Sequence, residues 1–465
     1  MNTEQPRGTT MRKNQTRAGL GIFVVSALSV SAVACDFVAG GKELNPKFCQ
    51  ANPTDPECVK HCMTNSGAGC PDAGGVDAPT SCATNAECSS AGTATVCDVA
   101  GTKACVLCTA TDHAACTGVT PVCSDDKASC RACVTDAQCD SGVCRDDGSC
   151  AAVANIIYAS PDGSSTTCIQ TAPCNLTTAM GKVSTTLNVL HLAPGMYAYT
   201  TPLTLDFNKD VTVVGRGATL DRQAVGNNAT ATVSGDATVT FELVTLTGGD
   251  GSLTGNGVSC TSTGHVILKR ANVAGNARIG VDAGVCDVSI ENATITSNLG
   301  GGISITGGSF KLVNNFIVEN GNAAAGGSLF GGVTVSSTVT DNVFEQNTIA
   351  FNHSLLGNPG ATCSAVASFH GKRNIVTRNN LGGDFPAAQS VGCADMESFT
   401  AAGTDANELK FTAISPAPLN FHLTAASPAT VRDVPGLTTC PGSDIDGDAR
   451  PFNTLCDLGA DEFKP

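Results

Sequence analysis

A nine-residue phrase recurs through the second half of the chain. It has a large apolar residue first, Ala or Asn fourth, Val or Ile sixth and Asn last. Complete copies end at Asn276, Asn298, Asn320 and Asn352, and a looser copy ends at Asn379. The residue numbers place these ends 22, 22, 32 and 27 residues apart. Such a period predicts a solenoid, because a single repeat cannot bury its apolar face without its neighbours.

A second short strand recurs between these phrases. It is marked by Gly followed by Val or Ile, at Gly257, Gly280, Gly302 and Gly332. Several short strands per repeat, joined by tight turns, predict an all-β fold, a right-handed parallel β-helix. Asn tolerates a left-handed backbone and can hydrogen-bond along a stack, so we expect the five terminal Asn residues to form a ladder.

A leucine-rich repeat is the alternative solenoid, because its consensus also closes an apolar phrase with Asn. That consensus requires Leu at positions that here hold Ala271, Ala293, Asn315 and Asn347. It also requires an apolar residue two positions after the Asn, where the chain has Arg278, Gly300, Asn322 and Ser354. Both mismatches favour the β-helix.

The N-terminus has the pattern of an export signal. Arg12, Lys13 and Arg17 precede an uncharged stretch that runs from Ala18 to Ala34 and is short for a membrane span. Residues 1–34 are therefore predicted to be a signal peptide, and the chain is predicted to be exported.

Cys35 directly follows the predicted cleavage site, which resembles a bacterial lipobox. The chain has 25 cysteines, so a lipid on Cys35 would leave an even number to pair. We therefore predict lipidation of Cys35 and a place on a membrane surface of the cell envelope. Plain secretion with one free thiol is the alternative. Residues 35–81 contain much Gly, Ala, Pro, Asn and Asp, which predicts a tether of low order.

Residues 82–150 contain twelve cysteines in three units of four. Units of this size have no room for a hydrophobic core, so we predict a disulfide-held module. Two C-x-x-C steps also fit zinc, but they fall between units, and an exported chain favours disulfides.

The β-helix is predicted over residues 151–437, with a C-terminal cap motif over residues 438–465. Apolar residues at helical spacing between Leu176 and Leu187 predict a helix that covers the open end of the solenoid. Eight cysteines remain in this half, and local pairing would join Cys168 to Cys174, Cys260 to Cys286, Cys363 to Cys393 and Cys440 to Cys456.

Several stretches now resemble known families. The segments 158–163, 174–187 and 192–197 are similar to the opening of pectate-lyase-like β-helix proteins. The segments 421–429, 444–451 and 457–462 resemble the terminal signature of the choice-of-anchor Q group, although Thr430-Val431 replaces the group's Ile-Asp. The cysteine-rich front half resembles exported lipoproteins of myxobacterial type. These resemblances imply an exported or surface β-helix protein. They do not imply one activity, because the group includes enzymes and non-enzymes.

Charge and register limit the chemistry. The net charge of −15 disfavours nucleic acid as a partner. A β-helix lyase needs clustered carboxylates and a base, but the repeat aligns Glu291 with Lys269 and Val313, and Asp282 with Ser304. The irregular region 206–250 holds five further acidic residues whose register the repeat does not define: Asp206, Asp210, Asp221, Glu242 and Asp250.

No cofactor is predicted from these residues. Asp444, Asp446 and Asp448 partly match an oxygen-rich calcium loop, which makes them candidate Ca²⁺ ligands. The distal Glu of that loop is missing, so a structural turn in the cap motif is the favoured interpretation.

The two long repeats predict a ligand-binding edge. If their extra residues follow the Asn, the insertions are Gly321–Gly331 and His353–Cys363, and the two loops emerge side by side. Four of their residues suit a sugar ligand: Asn322, Phe330, His353 and Asn358. Lys372 and Arg373 are expected nearby.

The sequence therefore predicts a non-catalytic, lipid-anchored surface protein that binds glycan, the cell envelope or a neighbouring cell. The alternative is a carbohydrate-active enzyme, a polysaccharide lyase or glycoside hydrolase, on the same β-helix.

Overall fold

The chain divides into two compact units, Met1–Ala78 and Pro79–Pro465. The computed structural model describes residues 38–39, 42–43, 81–89, 93–200, 205–223, 228–251, 254–322, 328–340, 342–364, 369–382, 384, 389–393, 395–396, 398–401, 408–414 and 419–465. In the first unit, strands β1 (Val38–Ala39) and β2 (Lys42–Glu43) form an antiparallel pair. The predicted signal peptide and Cys35 lie outside the described residues.

The cysteine-rich region forms three similar disulfide-bonded repeats. In each repeat the first cysteine pairs with the third and the second with the fourth. The six bonds are Cys82–Cys97, Cys88–Cys105, Cys108–Cys123, Cys116–Cys130, Cys133–Cys144 and Cys139–Cys150. The strands are β3 (Val96–Cys97), β4 (Cys105–Val106), β5 (Val122–Cys123) and β6 (Cys130–Arg131), with short 3₁₀ helices at Asn85–Cys88, Asp136–Gln138 and Val153–Asn155. All twelve cysteines are used in these bonds.

The second half of the chain is an all-β, right-handed parallel β-helix. Its opening elements are β7 (Ile156–Ala159), α1 (Leu176–Met180), β8 (Val189–Leu192), β9 (Gly195–Ala198), β10 (Asp206–Phe207), β11 (Val211–Asp221), β12 (Ala231–Val233) and β13 (Thr238–Thr247). Its middle elements are β14 (Val258–Cys260), β15 (His265–Lys269), β16 (Asn272–Ala274), β17 (Ile279–Asp282), β18 (Asp287–Glu291), β19 (Thr294–Thr296), β20 (Gly301–Ile305), β21 (Phe310–Val313) and β22 (Phe316–Val318). Its last elements are β23 (Val333–Ser336), β24 (Asn342–Glu345), β25 (Thr348–Ala350), β26 (His353–Ser354), β27 (Ala361–Ser364), β28 (Phe369–Lys372), β29 (Ile375–Thr377), β30 (Asn380–Leu381), β31 (Ser390–Val391), β32 (Asp395–Met396) and β33 (Phe399–Ala401).

Each regular turn of the solenoid, or rung, contributes one strand to each of three parallel sheets. Sheet one includes β15, β18, β21, β24, β28 and β32. Sheet two includes β16, β19, β22, β25, β29 and β33. Sheet three runs through β10, β12, β14, β17, β20, β23, β27 and β31. The predicted fold class is confirmed by this strand order.

Alternate residues of all three sheets point into one narrow core. The inward residues at the sixth position of the phrase are almost completely buried: Val273, Ile295, Ile317, Ile349 and Val376. Sheet three supplies Val258, Val281, Ile303, Val333 and Ala361 to the same core. Each Val or Ile of this core contributes about 1.5–3 kcal/mol on burial, so stacking of the rungs is the main source of stability.

Two corners of every regular rung turn through a single residue with positive φ. Between sheets one and two these residues are Arg270, Asn292, Asn314, Gln346 and Arg373. Between sheets two and three they are Gly275, Ser297, Glu319, Phe351 and Arg378. Each residue of the second set directly precedes a ladder Asn. The left-handed geometry expected of the ladder Asn residues is therefore adopted by the residue before them.

The helix near the start of the solenoid is shorter than predicted. Helix α1 covers Leu176–Met180 and ends at Gly181, whereas the spacing predicts a helix that continues to Leu187. The Asn175 side chain accepts a hydrogen bond from Thr178 N–H and so caps its N-terminus. Leu176 and Ala179 are buried in the main core, and Val183 remains buried beyond the helix. In the described residues, no helix is long and apolar enough to cross a membrane.

The third cysteine-rich repeat packs on the outer face of sheet one at its first rungs. Val143 and Ala151 lie in one apolar cluster with Ile156, Tyr158, Val189 and Val214. The Tyr158 hydroxyl donates to the Ser141 carbonyl at 2.7 Å. The apolar cluster and this hydrogen bond therefore dock the module on the solenoid, in addition to the covalent chain.

The C-terminal segment, described at residues 408–414 and 419–465, packs on the outer face of sheet two. The outward residues of β22, β25 and β29 are apolar at several positions and are covered by Leu409, Phe411, Phe421, Leu423, Val431, Leu437, Cys456, Leu458 and Ala460. This covering begins well before the predicted cap boundary at residue 438. It also lies along the side of the solenoid, not across an end.

Candidate functional site

The predicted Asn ladder runs through five rungs. Asn320 shows the pattern, because its Oδ1 accepts hydrogen bonds from the backbone and side-chain amides of Asn298, at 3.2 and 2.9 Å. Its Nδ2 donates to the Oδ1 of Asn352 at 3.0 Å and to the Ile295 carbonyl at 2.8 Å. All five ladder residues are completely buried: Asn276, Asn298, Asn320, Asn352 and Asn379. These residues hold the backbone together and are not available to a ligand.

A second Asn ladder was not predicted. Asn315, Asn347 and Asn374 stack at the corner between sheets one and two, with Nδ2–Oδ1 distances of 2.9 and 3.0 Å. Ala271 and Ala293 hold the equivalent position in the two preceding rungs, so this ladder begins part-way along the solenoid. The signal was present at the fourth position of the phrase, where Asn replaces Ala from the third copy onwards.

The recurring glycines lie directly against the first ladder. A Cβ on Gly302 would lie 3.1 Å from Asn320 Nδ2 and would overlap the Gly332 carbonyl oxygen. The same relation holds between Gly280 and Asn298, where the distance to Nδ2 is 2.7 Å. Glycine recurs before Val or Ile because the backbone there packs closely against the ladder Asn side chains.

The outward carboxylates of the regular rungs are dispersed. Glu291 lies between Lys269 and Val313 in the sheet register, and its carboxylate contacts the Lys311 ammonium at 2.8 Å. Asp282 lies between Ser259 and Ser304. Neighbouring rungs therefore do not stack these two carboxylates with another acid.

The five acidic residues of region 206–250 lie at separate positions in the solenoid. Glu242 is only 1% exposed and lies under the cysteine-rich module. Asp206 accepts from the Ser234 hydroxyl on sheet three, and Asp210 accepts from the Thr238 amide before sheet one. Asp221 ends β11, and Asp250 pairs with Asn228 in an isolated bridge. These five residues belong to different sheets and corners and do not converge on one site.

The inserted loops lie side by side at the corner between sheets two and three. Leu355 N–H donates to the Ser328 carbonyl at 2.9 Å, and the Ser328 hydroxyl donates to the His353 carbonyl at 3.0 Å. Strand β26 then pairs with β30, which adds a third loop that was not predicted. Residues 361–363 belong to β27, so the second loop ends at Gly360 and not at Cys363. We call the described residues of these three segments, 321–322, 328–331, 353–360, 380–382, 384 and 389, the stacked-loop edge.

The four predicted ligand residues differ in their surroundings. Phe330 packs over Gly301, where an added Cβ would lie 2.6 Å from its ring. Asn358 is half-buried and accepts from Gly360 N–H at 2.9 Å within its own turn. His353 is half-buried, and burial lowers the pKa of its imidazole. Asn322 is half-buried, and its backbone amide and carbonyl both bond to Ser328.

Two leucines of this edge are strongly exposed and were not predicted. Leu329 is 70% exposed and Leu356 is 74% exposed, on neighbouring loops. Lys372 and Arg373 do not lie at this edge. Both contact Glu345 at the corner between sheets one and two, at 3.3 and 3.2 Å.

The C-terminal motif forms a buried polar network around Arg450. Its guanidinium contacts the Glu462 carboxylate at 3.2 Å and donates to Asn314 Oδ1 at 2.8 Å. Glu462 in turn accepts from the backbone amides of Phe452 and Asp457, each at 3.0 Å. Burial raises the pKa of Asp457 to about 7. These bonds fasten the C-terminal segment to the corner between sheets one and two, where Asn314 has positive φ.

The three candidate Ca²⁺ ligands have separate partners. Asp444 accepts from the amides of Asp446 and Asp448, at 3.0 and 2.8 Å, which forms a tight turn. Asp448 contacts the Lys464 ammonium at 2.5 Å. Asp446 contacts His422 Nε2 at 2.9 Å. The arrangement is that of a hydrogen-bonded turn.

A cavity of about 750 Å³ lies near the N-terminal end of the solenoid. Its lining includes Asp162, Met196, Tyr197 and Tyr199. The Tyr197 hydroxyl donates to the Ala159 and Ala193 carbonyls, and the Tyr199 hydroxyl donates to the Thr230 carbonyl. Burial raises the pKa of both phenols.

The chain is similar to a solved structure, a crystal structure of pectate lyase Pel9A. The TM-score is 0.40 at 15% sequence identity, over 66% of this chain and 96% of that chain. No family model and no curated protein matches the chain. The fold is established by the strand pairing itself.

Proposed function

We propose that the protein is a non-catalytic binding protein of the cell envelope that recognises a polysaccharide at the stacked-loop edge. The observation that carries the proposal is the exposure of Leu329 and Leu356 on adjacent, hydrogen-bonded loops. Contiguous exposed apolar surface often marks an interaction site, and the neighbouring loops bring these two leucines to one edge. The half-buried Asn322 and His353 beside them would supply polar groups of the kind that orient a ligand.

The dispersed carboxylates favour binding over catalysis. Glycoside hydrolysis uses two carboxylates at a defined separation, and a lyase uses a base beside a cation held by carboxylates. Glu291 and Asp282 have non-acidic neighbours in register, and Glu242 is covered by the cysteine-rich module. A polysaccharide lyase or glycoside hydrolase remains the second candidate on this fold.

Lipid attachment at Cys35 is part of the proposal and rests on the lipobox-like sequence and the odd number of cysteines. Cys35→Ser should move the protein from the membrane fraction to the soluble fraction. Unchanged fractionation, with no acyl mass on Cys35, would contradict the anchor. The binding assay below uses the purified chain, so its result is independent of anchoring.

The binding test is a glycan array probed with the full chain. The informative variant is Leu329→Ser/Leu356→Ser, which changes only exposed side chains and should weaken binding by at least about tenfold. The matched control is Val285→Ser, because Val285 is 58% exposed and lies in the turn between sheets three and one. Equal binding by wild type and the double variant would refute the assignment to this edge. Unsaturated or new reducing-end products from an array hit would favour the enzymatic alternative.

A further inference from the structure

Three side chains from separate parts of the C-terminal segment converge beside sheet two. His422 Nε2 lies 2.9 Å from Asp446 Oδ2 and 4.0 Å from Asp461 Oδ1. The three ligand atoms all lie within 4.8 Å of one another. His422 also packs edge-on against the Phe316 ring of β22, with ring centroids 5.2 Å apart, so the cluster is fixed to the solenoid.

The hydrogen bonds of Asn420 define the histidine tautomer. Asn420 Oδ1 accepts from the His422 backbone N–H at 3.0 Å, which identifies this atom as the amide oxygen. The same oxygen lies 2.5 Å from His422 Nδ1. An amide oxygen can only accept, so Nδ1 carries hydrogen and donates. In neutral His422 the lone pair of Nε2 therefore points at two carboxylates.

Asp461 supplies the third ligand atom of the cluster. Its side chain is only 7% exposed. Oδ2 accepts from Leu423 N–H at 2.6 Å, whereas Oδ1 has no hydrogen-bond donor among the described residues. Oδ1 faces the same point as His422 Nε2, so two carboxylate oxygens and one imidazole nitrogen meet there.

The nearby cations are engaged elsewhere. Lys464 contacts Asp448 at 2.5 Å, and Arg450 contacts Glu462 at 3.2 Å. Arg270 Nη2 donates to the Asp446 backbone carbonyl, and its Nε lies 3.6 Å from Asp146 Oδ1. These cations balance part of the acidic charge around the cluster, but none is placed between the three ligand atoms.

We propose that His422, Asp446 and Asp461 bind a divalent transition-metal cation of the Zn²⁺ class. Tetrahedral ligands at about 2.1 Å from zinc lie about 3.4 Å apart, and the two distances from Nε2 bracket that value. The Nδ1–H bond to Asn420 is the outer-shell bond that metal-binding histidines usually make. Asp446 is 55% exposed, which gives the ion access and leaves a fourth position for water.

The donor set also selects against calcium. Ca²⁺ takes six to eight oxygen ligands, whereas this site offers one imidazole nitrogen and two carboxylates. Bound metal would join residues 420–423, 444–448 and 461 to one another on the outer face of sheet two. Such a site would stabilise the C-terminal segment and would not depend on ligand binding at the stacked-loop edge.

The test uses the full chain, stripped of metal with EDTA, dialysed and titrated calorimetrically with ZnCl₂. We expect one zinc per chain and a rise in Tm of about 2 °C or more at saturation. His422→Asn and Asp461→Asn should weaken zinc binding on the order of 100-fold. His265→Ala removes a histidine from the outer face of β15 and should leave binding unchanged.

A readout on the unmodified chain covers the case in which a variant fails to fold. Zinc should slow amide hydrogen exchange in residues 419–423 and 444–448, and CaCl₂ at the same concentration should not. Absence of stoichiometric zinc binding by the wild-type chain would overturn the proposal and leave a His–Asp ion pair. Retained binding in a folded His422→Asn variant, or loss of binding in His265→Ala alone, would overturn it as well.

Discussion

The guanidinium of Arg145 donates to the carboxylate of Glu242 at 3.0 Å, although 97 residues separate them in the chain. Arg145 belongs to the third cysteine-rich repeat, and Glu242 belongs to β13 of the solenoid. Glu242 is 1% exposed and also accepts from the Asp146 amide at 3.3 Å. The pair therefore fastens the disulfide module to sheet one, and an acidic residue that could have served chemistry is used for docking.

Arg145→Met should undock the third repeat. The change leaves the Glu242 carboxylate buried without its cation, which costs about 3 kcal/mol. Hydrogen exchange in residues 133–150 and chemical denaturation would measure the loss. The control is Lys311→Met, which breaks the more exposed pair with Glu291 and should cost about 0.5 kcal/mol or less. Equal losses in the two variants would contradict a docking role for Arg145.

Asn320→Ala should destabilise the solenoid by about 3 kcal/mol or more, because buried donors and acceptors lose their partners. Both amides of Asn298 lose their acceptor, and the Ile295 carbonyl loses a donor. Thr296→Ala changes a half-buried outward side chain in the preceding rung and is the control. Urea denaturation followed by circular dichroism compares the two. A loss below about 1 kcal/mol would mean that the ladder bonds are dispensable.

Gly302→Ala should cost about 1–3 kcal/mol through overpacking. The new Cβ would overlap the Gly332 carbonyl oxygen and would lie 2.9 Å from Ile317 Cγ2. Gly442→Ala places its Cβ where nothing lies within 4 Å, so the control should be nearly neutral. The measurement is the shift in denaturation midpoint of each variant. If both variants behave alike, the recurring glycines have no steric role.

The stability of the C-terminal segment should depend on pH through Asp457. Burial raises the pKa of this carboxyl from 3.8 to about 7, so the folded state binds more protons than the unfolded state between these values. Stability from this group is therefore present at low pH and is lost as the pH rises towards and through 7. Hydrogen exchange in residues 431–463 of metal-free protein should be slower at pH 5 than at pH 8, after correction for intrinsic rates. Asp457→Asn should reduce that difference, and an unchanged difference would contradict the assignment.

Disulfide reduction should unfold residues 82–150, whereas a chelator should leave them folded. Removing one native disulfide from so small a unit typically costs about 2–5 kcal/mol. Cys133→Ser/Cys144→Ser should therefore unfold the third repeat, while Cys440→Ser/Cys456→Ser should leave the module intact. Limited proteolysis of residues 82–150 with EDTA or with reductant distinguishes the cases. Cleavage with EDTA alone would indicate a metal-held module.

The solenoid could be predicted from the sequence. The apolar first and sixth positions, the terminal Asn and the recurring Gly are local signals, because every rung repeats the same short-range geometry. The positions of Asn320 and Gly302 within a rung therefore follow from the repeat pattern alone. The second ladder at Asn315, Asn347 and Asn374 carried the same kind of signal, in the position where Asn replaces Ala.

Contacts between side chains of different segments could not be predicted from the sequence. Arg145 contacts Glu242, and Arg450 contacts Asn314, because separate segments dock on the solenoid. These segments have no repeat that would define their register. The approach of His422 to Asp446 and Asp461 depends on how the C-terminal segment folds over sheet two. Periodicity predicts contacts between residues at equivalent positions, whereas these contacts join residues at unrelated positions. Their physical cause is burial of apolar outer faces, which selects one docking geometry among many that the sequence alone would allow.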